Sequence, residues 1–317
     1  MNNKKVLLIG GGGTLGTYVS EELLRLGCYV DIICPEEKIS NNEKLSLYQG
    51  LATFDFLKNL FNKKQYDGIV NFLHYLDVDS YRPKHELLSQ NTEHLIFLSS
   101  YRVYADEQHP ITENASRLLD VSTDKEFLQN ETYAIPKAHL ENYLISDSKT
   151  RNWTVVRPVI SFSERRFDVV TRSEREVVDK SRTGETVFLP IESRDLTAGL
   201  DWAGNSGKLI ANLLFKEETF EEFYTVSTAQ NLTWGEVADL YTKIIGTKFE
   251  WVDAETYMKY YNISGNAKWA LIYDRLFERK IDNSKILKAT GLNPNDFISV
   301  EDGIKIELSK IGVEVNV

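Results

Sequence analysis

Tyr133 and Lys137 stand four residues apart in Tyr133-Ala-Ile-Pro-Lys137, and residues of these types can together move a proton. A phenol ionises near pH 10 and is a poor base at neutrality. A neighbouring ammonium favours the phenolate, and on a helix the spacing of four sets both side chains on one face. A second set of residues suits an anion. Gly10, Gly13 and Gly16 recur at intervals of three, and Gly11 allows a second count, G-x-G-x-x-G. The apolar run Val6-Leu-Leu-Ile9 leads into them and a helical pattern follows. In that strand–loop–helix setting glycine permits the tight turn, lets a pyrophosphate approach the backbone, and lets the helix pack on the strand. The free amides and dipole of the helix N-terminus then favour the anion. Gly10, Gly13, Thr14, Leu15 and Gly16 are therefore expected to bind a nicotinamide dinucleotide. Its positive ring would join Lys137 in favouring the phenolate, and Lys137 would also bond the nicotinamide ribose. The substrate oxygen needs a hydroxyl, and Leu98-Ser99-Ser100-Tyr101 supplies one just past a strand, where ligands bind in such sheets.

An acidic residue after the second strand would bond the ribose hydroxyls and select NAD. That strand ends Ile33-Cys34-Pro35-Glu36-Glu37-Lys38, with no arginine to neutralise a 2′-phosphate. NAD is the expected cofactor, through Glu36 or Glu37, and NADP stays open.

These residues need a scaffold that brings strand ends together, and the apolar pattern predicts one. Buried strands are expected at Lys5 to Ile9, Tyr29 to Ile33, Gly68 to Leu73, Leu95 to Ser99 and Trp153 to Val156, with a short third strand at Ala52 to Phe54. Residues 35–50 read as irregular. Helices are expected at Leu15 to Leu26, Phe56 to Phe61 and Tyr133 to Ile145. Such alternation implies an α/β fold, a Rossmann doubly wound parallel sheet covered on both faces. Past Pro158 the pattern loosens, and residues 161–194 show no clear strand. Glu222 to Val226 reads as a strand that rejoins the sheet, and Trp234 to Ile245 as an amphipathic helix. Asp282-Asn-Ser-Lys285 and Gly291-Leu-Asn-Pro294 read as a helix start and stop. The expected division is a dinucleotide-binding domain over 1–160, rejoined by about 195–228, and a smaller C-terminal substrate lobe from 161–194 and 229–317.

In these segments the chain resembles the short-chain dehydrogenase/reductases, and within them the extended type that includes nucleotide-sugar epimerases, dehydratases and reductases. The resemblance runs through the glycine loop, Tyr66-Asp-Gly-Ile-Val-Asn71, Phe97-Leu-Ser-Ser-Tyr-Arg-Val-Tyr104, Tyr133 with Lys137, and Val155-Val-Arg-Pro158. Later, Leu232-Thr-Trp-Gly-Glu236 and Asp282-Asn-Ser-Lys285 are similar to family segments. It implies that Ser100, rather than Ser99, acts with Tyr133 and Lys137, that Asp55 bonds the adenine, and that Asn71 lies at the cofactor. Three departures stand out. Leu73 and His74 take places where relatives carry two alanines against the cofactor. The stretch between the fourth and fifth strands is short and lacks an evident helical asparagine. Pro136 sits inside the Tyr–Lys spacing, where a helix must either begin near Tyr133 or kink, since proline deep in a helix costs about 3 kcal/mol. Atypical members of the superfamily bind dinucleotide without turnover, so a regulator or scaffold stands beside the enzyme as an alternative.

The rest of the composition narrows the partners. The chain has 317 residues, a formal charge of −10 and a pI near 5.2, a poor general match for nucleic acid or an anionic membrane. No apolar run approaches a membrane span, and the first one is too short and too soon broken by glycine for a signal peptide. Cys28 and Cys34 lie about 20 Å apart along one predicted strand, too far for a disulfide, and read as reduced thiols of a cytoplasmic protein. His85, His94, His109 and His139 read as helix-surface or loop residues, and no metal constellation is expected. Arg165, Arg166, Arg172, Arg175 and Arg182 could grip a nucleotide-sugar pyrophosphate, but interleaved acids, Glu164, Asp168, Glu174, Glu176 and Asp179, favour a solvated helix face. The expected partner is a small-molecule substrate, by the resemblance a nucleotide sugar, with a homodimer left open.

Overall fold

Val6 to Ile9 are four apolar residues in a row, and such a run is buried only where both faces of a strand are covered. The computed structural model, which describes residues 1–147, 149–172 and 176–315, places them in strand β1 (Lys5–Ile9) at the middle of a seven-stranded sheet. Its other members are β2 (Tyr29–Cys34), β3 (Leu45–Gln49), β4 (Gly68–Asn71), β5 (His94–Leu98), β6 (Trp153–Pro158) and, after three short strands, β10 (Glu222–Val226). The order is β10-β6-β5-β4-β1-β2-β3 and every pairing is parallel. Val6 and Leu8 face α1 (Thr14–Arg25) and a later helix, α8 (Ala203–Ala211). Leu7 and Ile9 face α2 (Phe54–Phe61) and α3 (Val78–Gln90). The chain order reverses between β1 and β4, which opens a crevice at the carboxyl ends of these strands.

Several expectations need correction. The third strand is Leu45–Gln49, inside the stretch read as irregular, and not Ala52 to Phe54. An edge strand covered on one side needs only alternating apolar residues, here Leu45 and Leu47, while Thr53 caps α2 by accepting from the Phe56 amide. Between the fourth and fifth strands lies α3, a full helix of 13 residues whose inward stripe is Tyr81, His85 and Leu88. His85 and His94 are fully buried, not on the surface. His85 bonds Tyr81 and Thr150, and His94 bonds Thr154 and the Phe215 amide. Both nitrogens of each ring are thereby satisfied inside the protein. Residues 161–194 do hold regular structure: β7 (Ile160–Phe162) runs into them, followed by α7 (Glu176–Thr183) and β8 (Thr186–Pro190).

Short helices α4 (Leu118–Val121) and α5 (Lys125–Asn130) precede α6 (Ala134–Ser146). Pro136 is the third residue of α6, where the amide has no intrahelical acceptor, so the proline costs no hydrogen bond. Beyond the sheet, β9 (Leu200–Trp202) pairs with β7, and β11 (Lys248–Val252) pairs with β8. Helices α9 (Trp234–Ile245), α10 (Ala254–Tyr260), α11 (Gly265–Ala270), α12 (Ser284–Thr290) and α13 (Val300–Lys310) complete the chain. Phe162, Phe167, Trp234, Tyr241 and Ile304 share a core there, separate from the sheet's. Among the described residues no helix is long and apolar enough to cross a membrane.

A buried carboxylate ties these parts together. Glu141 of α6, wholly buried, accepts from Ser99 Oγ at 2.6 Å and from Arg157 of β6 at 2.7 and 2.9 Å, and Arg117 adds a contact at 3.1 Å. Arg157 continues to the Tyr104 hydroxyl, which bonds Thr225 on β10. Burial opposes ionisation of Glu141, but the Arg157 and Arg117 charges and the Ser99 hydroxyl hold its carboxyl below the usual carboxylate range. Glu141→Gln keeps the shape and leaves Arg157 buried without its counter-charge. A loss of about 3–5 kcal/mol in urea unfolding is expected, and a loss under about 1 kcal/mol would show that the ion pair is not holding α6 to the sheet.

Candidate active site

The turn after β1 closes only because its residues lack side chains. Gly10 has φ +74°, and a Cβ on it would lie 2.9 Å from Leu73 Cδ2. A Cβ on Gly16 would sit 2.4 Å from the Gly11 carbonyl oxygen, so this glycine lets α1 meet the loop. Gly13 differs: it precedes α1 and nothing lies within 4 Å of where its Cβ would be. The space beside Gly13, at the N-terminus of α1 where an anion would be favoured, is therefore open. Two cations reach the same loop, since Lys38 Nζ and Arg165 Nη1 both donate to the Gly12 carbonyl, at 2.5 and 3.3 Å. A Cβ on Gly12 would lie 3.0 Å from Glu36 Oε2, so Glu36 is the acid of its pair that stands at the loop.

Across the crevice, Tyr133 is the residue that caps α6, and Lys137 lies one turn in. Lys137 Nζ is 5.3 Å from the centre of the Tyr133 ring and donates to the Leu98 carbonyl at 2.6 Å. An ammonium has three donors, so others remain. Ser100 lines the same cavity as Tyr133, and its hydroxyl accepts from the Arg102 amide at 3.2 Å. Its neighbour Ser99 is turned away to Glu141. Protein packed round the cleft opposes ionisation of the phenol, but the Lys137 and Arg102 cations and the Ser100 hydroxyl outweigh it and hold Tyr133 below the ordinary tyrosine range. Burial holds Lys137 below the ordinary lysine range, against the pull of Tyr133 and Glu141.

Between loop and tyrosine lies a cavity of about 320 Å³, whose lining includes Thr14, Leu15, Ser100, Arg102, Tyr133 and Arg166. Of the expected residues, Thr14, Leu15, Ser100 and Tyr133 line it, brought there from the ends of β1 and β5 and the start of α6, with Lys137 one turn behind Tyr133. Others take different places. Both ends of the Asn71 amide are used locally, one donating to Tyr75 Oη and one accepting from the Leu73 amide. Asp55 lies exposed in the first turn of α2. His74 stacks on Tyr133, ring centres 5.5 Å apart, with Nε2 donating to the Thr132 carbonyl at 2.7 Å. Of the five arginines weighed together, Arg166 lines the cavity and Arg165 reaches the loop. Arg172 stacks on Tyr261, Arg182 pairs with Asp179, and Arg175, like Glu174, lies outside the described residues. Arg102 and Arg275 also line the cavity, and the sequence alone did not single them out. Arg102 had a local signal, its place three residues past Ser99. Arg275 arrives from the far end of the chain and had none. Among the described residues, no group of three or more His, Cys, Asp or Glu could hold a metal ion.

The sequence profile of the NAD dependent epimerase/dehydratase family matches residues 6–190. No curated protein matches the chain. Among solved structures, epimerase Mth375 from Methanothermobacter thermautotrophicus is 15% identical with a TM-score of 0.71, over 99% of this chain and 96% of that one. The UDP-glucose 4-epimerase of Thermus thermophilus, solved with NAD, is 16% identical with a TM-score of 0.67, over 96% and 98%. WbmG from Bordetella bronchiseptica, also solved with NAD, is 16% identical with a TM-score of 0.69, over 99% and 96%. At these identities the likeness is one of fold.

The open space at Gly13 gives a clean test of the loop. Gly13→Asp should fold, because its Cβ meets nothing within 4 Å, yet put a carboxylate where a pyrophosphate would sit. An unchanged melting temperature with calorimetric NAD binding lost is expected, and wild-type NAD affinity would remove the loop from the binding site.

Proposed function

The chain belongs to the NAD dependent epimerase/dehydratase family, and we propose that it is an NAD-dependent enzyme that oxidises a hydroxyl-bearing carbon of a nucleotide sugar. One observation carries this reading: Ser100, Tyr133 and Arg102 line the same cavity as Thr14 and Leu15, the first residues of the glycine-loop helix. The solved structural neighbours named above include a UDP-glucose 4-epimerase with NAD, which supports a nucleotide sugar as the substrate class.

The residues present fit the dinucleotide, because the loop leaves open space beside Gly13 at the N-terminus of α1. Gly10, Gly13, Thr14, Leu15 and Gly16 would hold its pyrophosphate, Glu36 the adenosine ribose, Asp55 the adenine, and Lys137 the nicotinamide ribose. Asn71 would support the floor beneath it by fixing the turn to Tyr75. NAD, when bound, supplies the hydride acceptor. The chain's own groups handle the proton. Ser100 donates to the substrate oxygen and keeps it beside the phenol. Tyr133, ionised more readily than a free tyrosine, accepts the proton of that hydroxyl as its C–H bond is broken. Lys137 stabilises the phenolate from below. Residues 161–194 and 229–317 form the substrate-binding lobe in this reading, and epimerisation, dehydration and reduction all share this first step. A second reading, a dinucleotide-binding regulator without turnover, draws on Leu73 pressed against Gly10 and His74 stacked on Tyr133.

NAD should bind more tightly than NADP in paired titrations at equal salt, and Glu36→Ala should narrow the difference. Tighter NADP binding by the wild type would instead assign Lys38 to a 2′-phosphate. Tyr133→Phe should bind NAD normally and lose about 10²–10⁴ in kcat on the substrate found by screening nucleotide sugars for reduced-nicotinamide absorbance. Because the phenolate is the active form, activity should fall as pH drops through the Tyr133 pKa. Removing the Lys137 cation raises that pKa, so Lys137→Ala should move the acid limb of kcat/KM upward in pH. Turnover by Tyr133→Phe at the wild-type rate would overturn the mechanism. NAD binding with no turnover on any nucleotide sugar would favour the regulator.

A further inference from the structure

The wall of the cavity that carries Tyr133 is more cationic than a neutral sugar requires. The Arg102 guanidinium lies 4.8 Å from the centre of the Tyr133 ring, and Arg166 and Arg275 line the same cavity. Behind them, wholly buried Asp274 pairs with Arg275 and with Arg279, the latter at 3.1 Å. Arg166 pairs with Asp168 at 2.6 Å, and Arg102 meets Glu131 at 3.4 Å. Four arginines therefore face three carboxylates in this cluster. Glu131 is further engaged, since its second oxygen accepts from the Tyr133 and Ile135 amides at the start of α6. Arg102 Nε is buried and has no hydrogen-bond partner among the described residues; the Asp274 carboxylate stands 3.6 Å from it. A guanidinium whose Nε is buried without a partner, beside others not fully neutralised, is a costly arrangement unless an anion completes it.

Resting on the reading that this site oxidises a nucleotide sugar, we propose that the sugar ring undergoing reaction carries a carboxylate, and that Arg102, Arg166 and Arg275 bind it. Position decides between this group and the diphosphate, the other oxyanion such a substrate has. Ser100 and Tyr133 hold the reacting hydroxyl, and Arg102 stacks on Tyr133 itself. An oxyanion that Arg102 reaches therefore belongs to the part of the substrate that reacts, whereas the diphosphate leaves the ring at the anomeric carbon and leads away to the base. Planar guanidinium groups also match a carboxylate edge to edge. The consequence is discrimination: a neutral ring would leave the excess positive charge of this wall without a counter-ion, and the enzyme would favour the sugar acid over the sugar.

The test reads binding, not turnover, so it stands apart from the test of Tyr133. NADH-saturated protein is titrated calorimetrically with UDP-glucuronate and with UDP-glucose, and its melting temperature is followed in sodium malonate against sodium chloride of equal ionic strength. The acid should bind about tenfold or more tightly than the neutral sugar, the scale of a hydrogen bond to a charged group, and malonate should raise the melting temperature. Arg102→Gln and, at a side chain nearly half exposed, Arg166→Gln should each shrink both effects, while Arg102→Lys should retain part of them. Melting of each variant without ligand shows whether it has folded. An affinity ratio near one, or no binding of the acid, overturns the proposal. So does a malonate effect that survives in folded Arg102→Gln, because the oxyanion would then lie elsewhere. Malonate binding that depends on Arg102, together with equal affinity for the two nucleotide sugars, assigns the arginines to the diphosphate and overturns it as well.

Discussion

Glu141 has no access to water and carries a charge, and the geometry of the site depends on how that charge is satisfied. Its partners come from three directions: Ser99 from the end of β5, Arg157 from β6, and Arg117 from the segment before α4. A buried carboxylate is stable only when its lone pairs are filled by well-placed donors. The helix that bears it therefore has one rotation and one height against the sheet. Lys137 lies one turn before Glu141 on that helix and Tyr133 caps it, so the same constraint sets where the ammonium and the phenol stand. It also divides the labour of the serine pair. Both serines line the cavity, but the Ser99 hydroxyl is spent on the structural bond, which leaves the Ser100 hydroxyl for a ligand.

The crevice gains its electrostatic character by addition. On the loop side, the N-terminus of α1 is joined by Lys38 and Arg165. On the opposite side, Lys137 and Arg102 flank the phenol. A chain whose formal charge is −10 thus presents a cationic interior to its ligands. Net charge governs long-range behaviour, whereas a site is governed by the groups within a few ångströms and by the water they exclude. The positive cleft also holds the Tyr133 phenol below the ordinary tyrosine range, against the opposing effect of burial.

Much of this was legible in the residue order. The strand–glycine–helix passage, the alternation of strands and helices, the Tyr133–Lys137 pair and the Ser-Ser strand end are local patterns, each determined by neighbours within a few residues. The late strand Glu222–Val226 was equally visible, because a parallel sheet accepts any strand with the right apolar run. The misplacements have local causes too. β3 is an edge strand with a weak alternating pattern, and α3 hides its buried stripe in tyrosine and histidine, residues that read as surface until their partners are known. Pro136 looked disruptive only while the helix start was unknown.

Local spacing, then, determined the strand–glycine–helix turn, the placing of Tyr133 and Lys137 one helical turn apart, and the class of fold, because backbone conformation and helical periodicity follow from adjacent residues. Tertiary structure alone decided the rest. It spent the Ser99 hydroxyl on Glu141, the physical reason for a preference for Ser100 that the family resemblance had already implied, and it set Glu36 rather than Glu37 against the loop. It also drew Arg166 and Arg275, separated by more than a hundred residues, to one wall with Arg102. Charges distant in sequence meet only when the sheet and the C-terminal elements pack together, and no periodicity records that meeting. Which side chains surround the reacting group is a property of that packing, and it is written in three dimensions rather than along the chain.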